Sequence, residues 1–231
     1  MHLTSILPRL RRDRSGVALI EFAYAMPAVM AMGMYGVESA NLAQTHMRVS
    51  QVALMLADNA SRAGVDATGG TIQQLREIDI NDIMQGVRLQ QNRLDLANRG
   101  RVTLSSLETN SDGGQWIHWQ RCLGMKQGAG WDSSYGKAGD GKTGTAFPGM
   151  GNAGSEVQAP AGEAVMYVEI NYQYRSLFGT MTAIVGSPVI QYTASYIVRD
   201  KRDLSGNSGS GIYDPSPSVG SAKMTCDKYT T

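Results

Sequence analysis

The sequence contains a segment whose residue types match a phosphate-binding loop. Residues 136–143 read GKAGDGKT, with the second glycine of the pattern followed by Lys142 and Thr143. Such a loop works only between a buried strand and a helix, whose N-terminal amides and dipole hold the phosphates. The flanking residues, DSSY before and GTAFP after, predict neither element. We therefore interpret the match as coincidental and predict no nucleotide ligand.

The other residues capable of acid–base or metal chemistry are scattered along the chain. The three histidines are His2, His46 and His118, and none lies in an HExxH motif or near the partners of a catalytic triad. No GxSxG motif occurs, and Asp79 and Asp82 fit the solvated face of a helix. We predict that the protein is not an enzyme, has no catalytic residue and holds neither a metal ion nor a cofactor.

Three tryptophans, Trp116, Trp119 and Trp131, leave one binding function open. They can form a stacking platform for a sugar, although aromatic residues in strands usually belong to the core. The net charge of +1 lacks the basic surplus usual in nucleic-acid-binding proteins, so we predict no nucleic-acid partner. A membrane-anchored binding or adhesion module stays open as an alternative function.

The chain has two cysteines, Cys122 and Cys226, which are far apart in the sequence. They form neither a CxxC motif nor a cluster with histidine, which argues against a metal site. Outside the cytoplasm the redox conditions permit a disulfide between them, but the sequence does not show whether they are close in space. A disulfide and two free thiols therefore both stay open.

Glu21 is a carboxylate in an otherwise uncharged apolar stretch. Residues 17–37 read VALIEFAYAMPAVMAMGMYGV, which is long enough to cross roughly 30 Å of hydrocarbon as a helix. A carboxylate at the centre of such a helix costs about 2.5–3.5 kcal/mol, so Glu21 either reaches the headgroups or awaits a cationic partner. Pro27 removes one helical hydrogen bond, a loss that membranes tolerate where neighbouring groups satisfy the freed carbonyl.

The segment before this stretch, residues 1–16, is basic. Its charged residues are Arg9, Arg11, Arg12 and Arg14 against Asp13. By the positive-inside rule this leader stays in the cytoplasm, and the bulk of the chain lies in the periplasm or beyond. A cleaved secretory signal is less favoured, because the apolar run is longer than a signal core and contains Glu21 and Pro27.

The junction between leader and apolar stretch resembles a prepilin cleavage site, with residues 14–22 reading RSGVALIEF. From residue 16, GVALIEFAYAMPAVMAM is similar to the N-terminus of TadE/TadG-like pseudopilins of tight-adherence (Tad or Flp) pilus systems. The shared pattern is a Gly, a short apolar run, Glu-Phe and then a Pro, here Pro27. Major Flp pilins carry Glu-Tyr and are much shorter, so Phe22 and the chain length favour a minor subunit.

The resemblance implies that a membrane aspartyl peptidase, the prepilin peptidase, cuts after Gly16. The new amine of Val17 and the Glu21 carboxylate of a neighbouring subunit would then neutralise each other at low dielectric. It also implies a pilin-like fold, with Phe22 and Pro27 in the assembly region. The implied partners are other pilus or pseudopilin subunits and the inner-membrane platform. Some relatives keep the leader as a plain anchor, so processing at Gly16 stays open.

Two helical regions are predicted after the apolar stretch. Residues 38–62 alternate polar and apolar residues at helical spacing, which predicts that the membrane helix continues as a stem packed on the domain. A second helical segment is predicted from Thr71 to Ala97, opened by a capping box at residues 71–74 and weakened in its middle by Gly86.

After Gly100 the pattern changes to a period of two, which predicts strands. The segments concerned are residues 101–105, 115–122, 164–174 and 189–199. In the third segment Glu169 and Asn171 lie opposite the apolar residues, as expected for antiparallel strands with one wet face. Helices followed by strands predict an α+β domain over residues 38–203, helical at 38–98 and strand-rich at 101–200, whose N-terminal helix covers one sheet face.

Two segments have compositions that predict little regular structure. Residues 124–162 are rich in glycine and poor in large apolar residues, so we predict a flexible insertion or an exposed loop rather than a core element. Residues 204–231 are predicted to form a flexible tail, pinned only at Cys226. Taken together, the sequence predicts a single-pass inner-membrane protein with a cytoplasmic N-terminus.

Overall fold

The structure, a computed structural model, describes residues 16–66, 72–90, 94–179, 188–213 and 223–229. The basic leader before Gly16 and the first residue of the predicted capping box, Thr71, lie outside these ranges. The described residues form two compact units. One consists of residues 16–43 and 176–179, and the other holds the remainder.

The chain is α+β, with a long N-terminal helix ahead of an antiparallel sheet, as predicted. The first helix, α1 (Val17–Arg62), passes through Pro27. The further elements are β1 (Val65–Asp66), β2 (Gln73–Gln74), α2 (Glu77–Gln90), α3 (Leu96–Arg99), β3 (Gly100–Thr109), β4 (Gln115–Leu123), β5 (Ala164–Gln173), β6 (Val189–Ile197) and β7 (Arg202–Asp203).

The main sheet has the strand order β4-β3-β5-β6, and each neighbouring pair is antiparallel. All four strands coincide with segments in which the sequence alternates. Val102 of β3 is paired with Ile170 of β5, which is paired in turn with Tyr192 of β6. This register brings the apolar side chains of adjacent strands onto one face. The short strands β1, β2 and β7 form a second, separate sheet.

The C-terminal half of α1 packs on this apolar face. Its buried positions recur every three or four residues, the spacing of one helix face: Thr45, Val49, Val52, Ala53, Leu56, Ala57 and Ala60. The His46 ring lies edge-on to Tyr192 of β6, and its Nδ1 is 3.3 Å from the phenol oxygen. The predicted stem is therefore present, with its packed stripe beginning at Thr45.

Strand β5 is buried on both faces, so the prediction of one wet face is wrong for this strand. On the face opposite α1, the Glu169 carboxylate accepts hydrogen bonds from the Ser133 hydroxyl and the Ser134 N–H. The Asn171 amide donates to the Trp131 carbonyl at 2.7 Å. Burial raises the pKa of Glu169, and the bonds from the two serines offset part of that rise.

The glycine-rich segment covers this second face of the sheet. Its apolar residues join a buried cluster with β3, β4 and β5, whereas the composition predicted only that the segment would form no core element of its own. The segment contributes Tyr135, Phe147, Met150, Val157 and Ala159, and the strands contribute Leu107, Ile117, Val165 and Tyr167. A few well-placed apolar residues are thus enough to dock a segment that has no helix or strand of its own.

Helix α2 begins at Glu77, six residues later than the predicted start at Thr71. Residues 73–74 belong to β2 instead, which pairs with β1 and β7. The helix is opened by Asp79, whose carboxylate accepts a hydrogen bond from the Arg76 N–H at 2.9 Å. This bond corresponds to one half of a capping box, but residue 76 is an arginine and not the Ser or Thr of the full motif.

The described part of the C-terminal tail is held at several points. Cys226 forms a disulfide with Cys122, and the Cys122 N–H donates to the Met224 carbonyl at 2.7 Å. The fully buried Arg101 side chain donates to the carbonyls of Cys226 and Lys228 at 2.6 and 2.9 Å. Residues 223–229 therefore pack on the sheet through charge, disulfide and backbone contacts together.

Candidate functional site

The N-terminal half of α1 is an apolar helix whose side chains are exposed in the part of the chain that the structure describes. Every residue from Gly16 to Gly33 is exposed, including Leu19 at 73% and Tyr24 at 82%. The helix is long enough and apolar enough to cross a membrane. Because water is a poor environment for so large an apolar surface, this half of the helix requires a lipid or protein covering.

The residues of the predicted cleavage junction lie at the start of this helix. The Gly16 carbonyl accepts the first helical hydrogen bond, from the Ile20 N–H at 3.1 Å, so the helix begins directly after the predicted cut. Val17 and Glu21 are one turn apart and therefore lie on the same side of the helix. Glu21 and Phe22 are both exposed, which leaves them accessible to a neighbouring subunit.

Glu38 follows the exposed stretch, and its role was not predicted from the sequence. Its side chain is fully buried, unlike that of Glu21, the one acidic residue before it in α1. One carboxylate oxygen accepts hydrogen bonds from the N–H groups of Leu177 and Phe178, at 3.0 and 3.3 Å. Glu38 thus ties the turn after β5 to the helix within the same compact unit.

The two cysteines, for which the sequence left both states open, form a disulfide in the structure. Their Cα atoms are 4.8 Å apart, within the usual range for a disulfide. Cys122 lies near the end of β4 and Cys226 in the tail, 104 residues later in the sequence. Proximity arises because the tail runs beside β4, a long-range contact that residue spacing does not reveal.

The three tryptophans do not form one continuous platform. Trp116 and Trp119 border a cleft of about 730 Å³ beside β4, but Trp119 is only 4% exposed. Trp116 stacks on His118, with ring centroids 4.2 Å apart. Trp131 does not border this cleft, and the ammonium group of Lys126 lies over its ring, 5.2 Å from the centroid. A single half-buried indole, that of Trp116, is therefore available to a ligand in the cleft.

His118 and Glu108 form a buried ion pair at the edge of this cleft. His118 Nδ1 is 2.8 Å from the Glu108 carboxylate and Nε2 is 3.0 Å from the Gly209 carbonyl, so both ring nitrogens face acceptors. Burial on its own lowers the pKa of His118. The hydrogen bond and the negative charge of Glu108 raise the pKa by more than burial lowers it, so it lies above its ordinary value. The pair joins the loop around Gly209 to the sheet and matches no triad.

The segment that matches a phosphate-binding loop, residues 136–143, lies in turns and bends. Its backbone N–H groups are used inside the protein. Ala138 donates to the Gln120 side chain at 3.1 Å, and Gly139 donates to the Ile117 carbonyl at 2.7 Å. The pattern therefore serves to fasten the glycine-rich segment to β4, and it lacks the strand and helix that phosphate binding requires.

Comparison with known proteins gave no match: no protein-family model, no curated protein and no solved structure matches this chain. Three features of the chain itself bear on its function. These are the exposed apolar helix, the junction residues at its start and the disulfide.

Proposed function

We propose that this chain is a non-enzymatic, TadE-like pseudopilin or minor pilin that takes part in assembling a Tad (Flp-type) pilus or secretion apparatus at the inner membrane. The observation that carries the proposal is the exposed apolar helix that starts directly after Gly16. That helix and the arginines before it support a single-pass anchor with a cytoplasmic leader and an extracytoplasmic α+β domain.

The continuity of α1 supports a pilin-like architecture. The same helix is exposed and apolar in its first half and packed on an antiparallel sheet in its second half. Such a helix can pack laterally against other subunits in the membrane while its domain stays outside. Glu21, exposed and one turn from Val17, is then the residue that a neighbouring subunit's N-terminal amine would contact.

The disulfide supports the proposed orientation. Disulfides persist in oxidising compartments such as the periplasm and are rare in the cytoplasm. The cysteines belong to the sheet domain and its tail, which the positive-inside rule places on the side of the membrane opposite the arginine-rich leader. The two arguments are independent, and they agree.

The first test is the mass of the N-terminal peptide of protein taken from native membranes, with and without the prepilin peptidase. We expect a mature chain that begins at Val17 only when the peptidase is present. An intact leader in both preparations would mean that the protein is an unprocessed, membrane-anchored component of the Tad system. A start near Met34 would mean ordinary secretion and would overturn the proposal.

The second test is Glu21→Ala, with Glu163→Ala as the matched control in an exposed turn of the sheet domain. We expect pili to be lost in the Glu21 variant while the protein remains in the membrane, and to be unaffected in the control. Glu21→Asp, which keeps the charge, should retain partial assembly. Normal pili in the Glu21→Ala variant would show that Glu21 has no role in assembly.

A second function, a membrane-anchored binding module, is favoured by the cleft beside β4. Lys137, Lys142 and Trp116 border it, and the buried Trp116 indole N–H has no hydrogen-bond acceptor among the described residues. This function predicts that sugar or anion binding by the purified protein is lost in Trp116→Ala. It also predicts that deleting the protein leaves pili intact, which separates it from the assembly role.

A further inference from the structure

The turn that follows β5 combines an exposed apolar side chain with a backbone satisfied from inside the protein. Leu177 is 58% exposed. The N–H groups of Leu177 and Phe178 donate to the buried Glu38 carboxylate, and the Phe178 carbonyl accepts a hydrogen bond from the Ser176 hydroxyl. The turn thus exposes the Leu177 side chain, while the N–H groups of Leu177 and Phe178 and the Phe178 carbonyl have partners within the protein.

This arrangement is the one that irregular backbone requires where water is scarce. An N–H group without an acceptor costs several kcal/mol in hydrocarbon, so loops enter an apolar layer only when protein groups satisfy their backbone. An exposed leucine alone needs no explanation on a soluble protein. Leu177 differs, because the N–H groups of its turn already donate to a buried carboxylate. These N–H groups therefore need no water when the turn enters an apolar layer.

The position of Glu38 fixes the depth of the turn. Residues 17–37 span about 30 Å at the helical rise of 1.5 Å per residue, the thickness of the hydrocarbon core. Glu38 is the next residue, so it lies at the outer headgroup layer when this stretch crosses the membrane. The turn that it holds lies at the same level, since both belong to one compact unit.

The sequence around the turn fits an apolar partner. Residues 176–186 read SLFGTMTAIVG and include no charged residue, whereas residues 110–114, between β3 and β4, read NSDGG. The charged Arg175 comes directly before the uncharged residues. Apolar residues at a membrane interface gain free energy in proportion to the area that they remove from water.

We propose that the turn of residues 176–179 is a second membrane contact, which places the Leu177 side chain in the interfacial layer of the bilayer, held there by Glu38. The inference rests on the proposed crossing of the membrane by residues 17–37. It assigns Glu38 a function in setting how the chain meets the lipid surface, in addition to the anchoring by the helix itself.

The test uses the full chain in vesicles of phosphatidylethanolamine and phosphatidylglycerol at low protein density. Leu177→Cys is labelled with an environment-sensitive fluorophore; the native cysteines are bonded to each other and do not react without reductant. Val29→Cys is the reference inside the predicted span. Leu89→Cys, an equally apolar position that is 70% exposed on α2, is the reference in water.

We expect the Leu177 reporter to show blue-shifted emission and quenching by lipids carrying a nitroxide near the headgroup, closer to the Val29 value than to the Leu89 value. Quenching that matches Leu89, while Val29 is quenched, would overturn the second contact and leave the anchor standing. If Val29 also behaves like Leu89, the proposed membrane crossing fails. Quenching of Leu177 that appears only at high protein density would indicate a second copy in place of lipid.

A pair of substitutions at Glu38 tests the mechanism in the Leu177→Cys background. Glu38→Gln keeps an oxygen acceptor for the two N–H groups and should keep the reporter quenched. Glu38→Ala removes the acceptor and should move the reporter to the Leu89 value. An intact Cys122–Cys226 disulfide in both variants checks that the sheet domain has folded, and equal quenching in both would show that Glu38 does not hold the turn.

Discussion

At the residue scale, buried polar side chains fasten the irregular parts of this protein to its regular core. Arg101 holds the C-terminal tail, His118 holds the loop around Gly209, and Glu38 holds the turn after β5. Each side chain donates to or accepts from backbone groups that have no strand partner. A buried backbone group that loses its hydrogen-bond partner costs free energy, so these contacts are places where single substitutions have large effects.

Arg101 is the first such place. Its fully buried guanidinium donates to the carbonyls of Gly124, Cys226 and Lys228, and burial lowers its pKa. We expect Arg101→Ala to lower the free energy of unfolding by about 3–5 kcal/mol, since several buried carbonyls lose their donors. The measurement is urea unfolding of the full chain in detergent, followed by tryptophan fluorescence.

Arg101→Lys is the control for charge. It keeps the cation but cannot reach carbonyls on two chain segments at once, so we expect it to recover only part of the loss. If Lys restored full stability, the geometry of the guanidinium would be irrelevant and its charge alone would account for the effect.

The His118–Glu108 pair predicts a pH-dependent contribution to stability. The pKa of His118 is raised, so the folded chain binds the proton more tightly than the unfolded chain does. The contribution is therefore fully present below about pH 6.5, the unfolded value, and is lost as the pH rises through the folded pKa.

We expect His118→Asn to reduce the free energy of unfolding by about 1.5–3 kcal/mol in mildly acidic solution, the range for a hydrogen bond to a charged group. The difference from wild type should shrink steadily towards alkaline pH. Unfolding curves for both proteins across the pH range measure it. A difference that is constant with pH would mean that the pKa of His118 is the same in the folded and the unfolded chain.

At the scale of elements, the sequence predicted the regular parts and missed what covers them. Strands β3 to β6 and the stem of α1 have clear periodicities, because each has a regular row of apolar side chains where α1 packs on the sheet. The burial of Glu169 and Asn171 on β5 was not predictable in this way. Their cover is the glycine-rich segment, whose contacts depend on turns and side-chain hydrogen bonds that leave no period in the sequence.

Gly124 illustrates why glycine content misled the prediction. It has φ +118°, and a Cβ atom there would lie 2.3 Å from the Gly100 carbonyl oxygen at the start of β3. Gly139, in the same segment, has φ +95° but open space around it. The first glycine is required for close approach to the sheet, whereas the second is required only by its backbone angle.

We expect Gly139→Ala to destabilise the protein by about 1–2 kcal/mol, the cost of a left-handed residue, and Gly124→Ala to cost clearly more. Thermal unfolding of the two variants side by side gives the comparison. Equal losses would mean that the chain around Gly124 can move aside, and that the segment is as loosely attached as its composition predicted.

At the scale of the whole molecule, the residues of the candidate site that lie close together in the sequence were predictable. Those that come together only in the folded chain were not. The apolar helix, Gly16 and Glu21 are read from one continuous stretch of sequence. Glu38 and Leu177 are 139 residues apart, and Cys122 and Cys226 are 104 apart. Contacts at such separations depend on the order of the strands in the sheet. Alternation in the sequence predicts which segments are strands but not the order in which they pair.

The disulfide leads to a prediction for the whole molecule. Its formation requires an oxidising compartment, so the stability of the domain depends on the side of the membrane on which the domain lies. A cross-link that closes a loop of about 100 residues stabilises by about 4–5 kcal/mol in the chain-entropy model. We expect the domain to be oxidised in growing cells, and the double variant Cys122→Ser with Cys226→Ser to lose stability of that order. Mass spectrometry of alkylated and non-alkylated protein measures the oxidation.

The same link predicts topology in the cell. If the leader is cytoplasmic and α1 crosses the membrane once, protease added to spheroplasts reaches the sheet domain, and loss of the periplasmic thiol-oxidising system leaves both cysteines reduced. The Cys-to-Ser double variant then separates stability from location: it should be exported normally and degraded faster. If the domain is protected in spheroplasts and both thiols are free, it lies in the cytoplasm. The proposed role in pilus assembly would then be wrong, because that role requires the domain to lie outside the inner membrane.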